Sequence, residues 1–311
     1  MSPLRYFTAA TLILHLVFLS ASSLAGDPIA GIGPSGPFQI VHSGLKFTEG
    51  PAADAKGELY FTDVGANKVL KANPGGSPTV VLDSAGGMNG LMFDGRGRLI
   101  GCQGSERRIV ALDIASKQLE VLTDNFDGKP YIRPNDLVVD RQGGVYFTDP
   151  KFLGGQDQVS AVYYVSPQGK VTQLFTDLPL PNGILLSPDE QTLYVLPWGA
   201  PRLMAYPIQS PGVIGMGRTV CELKQPPGAQ SKGGDGMTCD ERGNLYLTVP
   251  SISSIQVVSS DGKVLGLILC PEPPSNCTFG GPDMKSLYAT ARAHVYAAPM
   301  LVAGHRFGGT P

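Results

Sequence analysis

A self-similar block recurs six times along this 311-residue chain, and it limits the fold more tightly than any other feature. The copies are EGPAADAKGELYFTD from Glu49, NGLMFDGRGRLIGC from Asn89, NDLVVDRQGGVYFTD from Asn135, NGILLSPDEQTLYVL from Asn182, DGMTCDERGNLYLTV from Asp235 and CTFGGPDMKSLYATA from Cys277. Their starts lie 40 to 53 residues apart. In five copies the first residue is followed at a fixed offset of 11 by Tyr60, Ile100, Tyr146, Tyr246 or Tyr288; in the Asn182 copy the offset to Tyr194 is 12, one residue being inserted at the turn.

Each block reads as strand, turn, strand. A short apolar run meets D-x-x-G (Asp54 to Gly57, Asp94 to Gly97, Asp140 to Gly143, Asp240 to Gly243), then a β-branched and aromatic run such as Leu59-Tyr60-Phe61-Thr62. The Asp supplies a side-chain-to-backbone bond and the Gly a positive φ, the needs of a tight hairpin. Two more strand-like runs follow in a period, Lys68–Lys71 and Thr79–Leu82 in the first. Four short strands in about 45 residues make one propeller blade. The fold class is therefore all-β, a six-bladed β-propeller over residues 37–301. Phe38-Gln39-Ile40-Val41 precedes the first block without a blade of its own, so this N-terminal strand is expected to complete the last blade and close the ring. The 40 Gly and 27 Pro fit so much turn punctuation.

Residues 1–25 read as a signal peptide: Arg5 is a small positive region, Phe7–Leu19 is apolar, and Ala21-Ser22-Ser23-Leu24-Ala25 is a small-residue cleavage pattern. A mature chain starting near Gly26 and lying outside the cytoplasm, secreted or periplasmic, is expected. The apolar stretch is shorter than the roughly 20 residues of a spanning helix, and an uncleaved anchor is the alternative. Residues 26–36 form a Gly/Pro-rich leader and 302–311 a polar tail. With only 16% charged residues, a net charge of −2 and no basic block, nucleic-acid binding is excluded. No membrane span is expected in the mature chain, which is read as a monomer. Export permits disulfides; of the five cysteines, Cys270 could pair with Cys277 and Cys221 with Cys239, burial as free small side chains being the alternative, and Cys102 stands apart.

In a ring, the same position of every repeat faces the axis at the same height. The first residue of each block precedes the innermost strand and points to the mouth of the channel: Glu49, Asn89, Asn135, Asn182, Asp235, Cys277. Five of these carry an amide or carboxylate oxygen, and hard oxygens converging from several directions suit Ca²⁺ or Mg²⁺, the flexible geometry favouring Ca²⁺. Asn-Gly and Asp-Gly are also ordinary turn pairs. Recurrence at one register, with a Glu at position 49, favours the ligand reading. The Asp residues five places on (Asp54, Asp94, Asp140, Asp240) are read as structural turn residues.

These blocks resemble the gluconolactonase/regucalcin (senescence marker protein) family of six-bladed propeller lactonases over roughly residues 37–300. The resemblance is carried by EGP at Glu49–Pro51, RPND at Arg133–Asp136, YFTDP at Tyr146–Pro150, PNGI at Pro181–Ile184, DGM at Asp235–Met237 and FGGPD at Phe279–Asp283. It implies one divalent cation at the channel mouth, commonly Ca²⁺ with Mg²⁺ or Zn²⁺ as alternatives, held by Glu49, Asn182 and Asp235 with Asn135 close by. It implies substrate contacts from Asn135 and Arg133, with Asn89 a further candidate, and Asp235 as the catalytic residue that orients or deprotonates water. The implied activity is opening of small, sugar-type lactones. A non-catalytic ligand-binding propeller and a phosphoesterase using the same cup are the rival readings.

Other signals fail. Gly31-Ile32-Gly33-Pro34-Ser35-Gly36 fits a dinucleotide fingerprint but lacks a preceding strand and a following helix. No G-x-S-x-G exists, so a serine-hydrolase elbow is absent. His42, His294 and His305 lie outside the ligand register, and the sequon at Asn276 falls at the channel mouth, where a glycan is not expected.

Overall fold

A computed structural model describes residues 28–152, 158–226 and 232–307; the expected signal segment lies outside the described residues. Six antiparallel sheets form the blades. Blade I comprises Thr48–Ala53, Leu59–Asp63, Lys68–Lys71 and Thr79–Asp83. Blade II comprises Met88–Phe93, Leu99–Gln103, Arg108–Leu112 and Leu119–Thr123. Blade III comprises Leu137–Val139, Val145–Asp149, Ala161–Val165 and Val171–Phe175. Blade IV is built on Pro181–Leu186, Thr192–Pro197, Arg202–Ser210 and Arg218–Glu222, with the short Val213–Ile214 added to the long third strand. Blade V comprises Met237–Cys239, Leu245–Val249, Ser254–Val258 and Val264–Leu269. Blade VI comprises Asn276–Gly280, Ser286–Ala291 and His294–Pro299, and its outer strand is Gln39–His42 from the other end of the chain. The ring closes as the repeat requires, the N-terminal strand lying beside His294–Pro299 with Gln39 opposite Ala297.

Burial explains the sequence pattern. The second strands, LYFTD, VYFTD and LYLTV, are buried at every position because both faces pack on neighbouring blades. Such strands carry near-continuous apolar runs, whereas the outer Thr79–Asp83 is largely exposed. The core is accordingly a set of wedges between blades rather than one central mass. Tyr60 and Val69 of blade I meet Leu91 and Leu99 of blade II, and Leu185 and Leu203 of blade IV meet Met237 and Leu247 of blade V.

The hairpin aspartates are structural. One carboxylate oxygen accepts two backbone N–H groups in each case: Lys56 and Glu58 on Asp54, Arg96 and Arg98 on Asp94, Gln142 and Gly144 on Asp140, Arg242 and Asn244 on Asp240. In blade IV, Ser187 replaces the Asp; its hydroxyl accepts from Thr192 N–H, and the inserted residue is absorbed by Glu190 at φ 58°.

Blade VI departs from the expected register. In blades III and V, Asn135 and Asp235 donate their N–H to the carbonyls of Thr148 and Thr248 (2.9 and 3.2 Å). The equivalent donor in blade VI is Ser275, bonded to Thr290 O at 2.8 Å, and Asn276 lies opposite Thr290. The sixth ring position is therefore Ser275 and not Cys277. The blade VI hairpin is longer, so the spacing from Cys277 to Tyr288 imitates the repeat while the pairing starts earlier. Cys277 is buried between blades V and VI.

All five cysteines are free and buried. Val302 is buried in the wedge between blades V and VI, and Ala303, Gly304 and His305 exchange backbone bonds with Glu241, Met284 and Cys239. The C-terminal segment thus crosses the hairpin end of the channel. Among the described residues no helix is long and apolar enough to cross a membrane.

Candidate functional site

The starts of the inner strands are stitched to one another around the axis. Gly90 N–H donates to Asn135 O, Gly183 N–H to Asp235 O and Gly236 N–H to Ser275 O, at 2.8 to 2.9 Å. These bonds set the ring residues at one height. Glycine is required at the second position because the next blade fills the space. A methyl on Gly90 would lie 2.4 Å from Asp136 Oδ1, and one on Gly236 would lie 1.9 Å from Asn276 Cγ.

Asp136 and Asn276 are the two side chains that use that room. They belong to blades III and VI, on opposite sides of the ring, and Asn276 Nδ2 donates to Asp136 Oδ2 across the axis at 3.4 Å. Asp136 Oδ1 also accepts from Leu137 N–H, and Asn276 Oδ1 from Cys277 N–H. Both are buried and form a floor one residue deeper than the ring. Neither was among the expected site residues. The signal for Asp136 was there: blades I, II, IV and V carry Gly after the ring residue, whereas blade III carries Asp136. Bonded within the floor, Asn276 is no glycan acceptor in the folded chain.

Above the floor, Glu49 and Asn182 are buried, whereas Asp235 and Asn135 retain partial exposure. The Asn182 side-chain amide acts on the Asp235 carboxylate and favours its charged form. Glu49, Asp136 and Asp235 sense one another electrostatically. Burial pushes the Glu49 carboxyl well above its usual range, and the charges of Asp235 and Asp136 push it further. Asp136 is raised to about 7 by burial, against the pull of Leu137 N–H, the Asn276 amide and Ile184 N–H. Asp235 is raised by burial and by Asp136, against the pull of the Asn182 amide. No Lys or Arg is among the groups acting on these three carboxyls. Three clustered acids, two of them buried, without a compensating base hold protons or a cation.

The structure therefore brings together Glu49, Asn182 and Asp235 and adds Asp136. Asn135 and Asn89 sit on the ring; Asn89 O accepts from Thr62 Oγ1. Arg133 is exposed, its stem lying beside Gly104 of blade II. The histidines stay away: His42 stacks on Phe61, His294 pairs with Glu272, and His305 meets Phe307.

Comparison with known proteins matches residues 47–293 to the SMP-30/Gluconolactonase/LRE-like region. The chain belongs to this family. A gluconolactonase of Zymomonas mobilis is 31% identical over 274 residues, covering 79% of this chain and 76% of its relative. Lactonase drp35 of Staphylococcus epidermidis is 29% identical over 243 residues, covering 75% and 72%. Among solved structures, a Xanthomonas campestris gluconolactonase superposes with a TM-score of 0.76 at 30% identity, over 85% of this chain and 89% of that one. Regucalcin, a calcium-binding protein of Agrobacterium tumefaciens, shares the fold with a TM-score of 0.73 at 21% identity, over 90% and 97%.

Proposed function

We propose that this chain is a lactonase that uses a divalent cation to open small, hydroxylated lactones to hydroxy acids. The lactonase assignment rests on family membership and on the gluconolactonase and lactonase relatives. The cation rests on one observation: the carboxyls of buried Glu49 and Asp136 and of the partly exposed Asp235 are clustered, and among the described residues no Lys or Arg acts on them. Among the described residues no three His, Cys, Asp or Glu side chains form a ready cage, so an ion here draws on amide oxygens as well. Glu49, Asp235 and the Asn182 amide would hold it, with Asn135 adjacent and Asp136 contributing charge from below. This hard-oxygen set fits Ca²⁺ better than Zn²⁺. Held there, a cation would supply polarisation of the lactone carbonyl and charge stabilisation of the oxyanion.

The chain's own residues do the rest. Asp235, which is partly exposed, would orient the attacking water and take its proton. The water oxygen bonds to the carbonyl carbon, the ring C–O bond breaks, and the departing alkoxide takes up the proton. Asn135 and Arg133 line the approach and offer an amide and a guanidinium to substrate hydroxyls. The Asp136–Asn276 floor closes the channel beneath the reacting atoms.

The test is a chelated full-length chain assayed by pH-stat on a lactone panel before and after adding back Ca²⁺, Mg²⁺ or Zn²⁺, alongside elemental analysis. Restored hydrolysis with one ion per chain supports the reading. Full activity in chelator refutes the ion, and inertness toward every lactone with turnover of phosphoesters moves the function to that class.

A further inference from the structure

Two aspartates outside the carboxylate cluster carry out matching tasks. Asp63 ends the second strand of blade I, and its oxygens accept from Lys46 N–H and Phe47 N–H, both at 3.0 Å. Asp149 ends the second strand of blade III, and its oxygens accept from Ile132 N–H at 2.8 Å and Arg133 N–H at 2.6 Å. In each blade the two donors lie three and two residues before the ring residue, Glu49 in one and Asn135 in the other. Both carboxylates are almost sealed from solvent, at 3% and 1% exposure. In blade II, Gln103 occupies the same strand end and donates from Nε2 to Ala85 O at 2.9 Å, on the approach to Asn89. A buried, two-oxygen acceptor is expensive to desolvate, and in each case both oxygens bond the loop that delivers a ring residue, Asp63 Oδ1 also accepting from Ala66 N–H at 3.1 Å.

The blade III loop is gripped from its other side as well. Arg107 of blade II donates from Nη2 to Pro130 O at 3.2 Å and from Nε to Tyr131 O. The Tyr131 ring is buried, and its hydroxyl bonds Thr123 Oγ1 at 2.6 Å and Asn125 O at 2.9 Å. The backbone of Arg133 is thus fixed while its side chain is exposed and makes no ion pair among the described residues. Its stem is bounded by Gly104, where a methyl would lie 3.0 Å from Arg133 Cγ.

We propose that Asp149 is a positioning residue for Arg133 and Asn135, and thereby sets the preference for hydroxylated over plain lactones, while Asp63 does the same for Glu49 and the cation. The inference rests on the lactonase reading for its substrate arm. Asp149→Asn leaves one acceptor oxygen and turns an NH₂ toward the second backbone donor, so the loop loosens without a change of shape.

The experiment uses the full chain, with gluconolactone and δ-valerolactone assayed in parallel, Ca²⁺ titrated by calorimetry, and backbone hydrogen exchange followed over residues 129–135 and 44–49. A misplaced contact group raises KM more than it lowers kcat, so KM for gluconolactone should rise about tenfold with kcat changing less than about threefold. KM for δ-valerolactone should move much less, exchange should quicken over 129–135 only, and Ca²⁺ affinity should hold. Asp63→Asn should reverse the pattern, weakening Ca²⁺ about tenfold and quickening exchange over 44–49. Added to Arg133→Ala, Asp149→Asn should raise KM for gluconolactone no further. Equal KM rises for both lactones, additive effects in the double variant, or unchanged exchange over 129–135 overturns the proposal. Should Asp149→Asn fail to fold, Gly104→Ala displaces the Arg133 stem from the opposite side, and unchanged lactone selectivity in that variant overturns it equally. A wild type inert toward all lactones refutes the lactonase reading instead, and the exchange and calorimetry arms then decide the anchoring by themselves.

Discussion

Asp136→Asn should stabilise the chelated protein above neutral pH, an outcome unusual for a change to a buried, hydrogen-bonded group. The Asp136 carboxyl is raised from 3.8 to about 7, with burial the leading cause. Its folded value exceeds its unfolded one, so its contribution is greatest below the unfolded value and is lost as pH rises through about 7. Three units at about 1.4 kcal/mol each amount to roughly 4 kcal/mol lost by pH 8. The substitution removes that penalty but leaves an NH₂ near the Asn276 Nδ2 donor, a mismatch of about 1 kcal/mol. The net gain is about 2–3 kcal/mol, or roughly 3–5 °C in Tm for a chain of this size. Relief of the repulsion that Asp136 exerts on Glu49 and Asp235 adds to it. Scanning calorimetry of wild type and variant in excess chelator at pH 8 and pH 4.5 reads the effect. At pH 4.5 the wild-type carboxyl is protonated and the gain should vanish; in saturating Ca²⁺ at pH 8 it should shrink or reverse, because the ion supplies the missing charge. A variant less stable than wild type at pH 8 in chelator, or equally stabilised at both pH values, refutes the view of the channel floor as an uncompensated carboxylate cluster.

Asp235→Asn should lower lactone hydrolysis at least about a hundredfold even at saturating Ca²⁺, as expected for loss of a general base; steady-state kinetics with a metal titration checks it, and wild-type turnover would leave Asp235 as a ligand only. Asp240→Ala removes an acceptor for two backbone N–H groups, the Asn244 amide and the Tyr246 hydroxyl, so denaturant unfolding should show a loss of about 3–5 kcal/mol while kcat per folded molecule is kept. N-terminal sequencing of protein from the native host should begin near Gly26, and recovery of Met1 or Ser2 would refute export with cleavage.

The blades, their hairpins and the closing strand were legible in the linear sequence because their determinants are local and repeated. An Asp bonding two N–H groups and a Gly at positive φ act within four residues, and the buried second strand shows as an aromatic and β-branched run wherever it recurs. The ring position could be read for Glu49, Asn135, Asn182 and Asp235 for the same reason. It could not be read in blade VI, where a longer hairpin preserves the spacing from Cys277 to Tyr288 while the strand pairing puts Ser275 on the ring and Asn276 in the floor beneath it. Nor could the floor: Asp136 and Asn276 are 140 residues apart, and they meet because closing six blades puts blades III and VI across one narrow axis. Asp63 and Asp149 end second strands, and only the packed loops show whose N–H groups they hold. Local chemistry repeats with the chain and can be counted along it, whereas which side chains share the axis depends on ring closure, a property of all six blades at once.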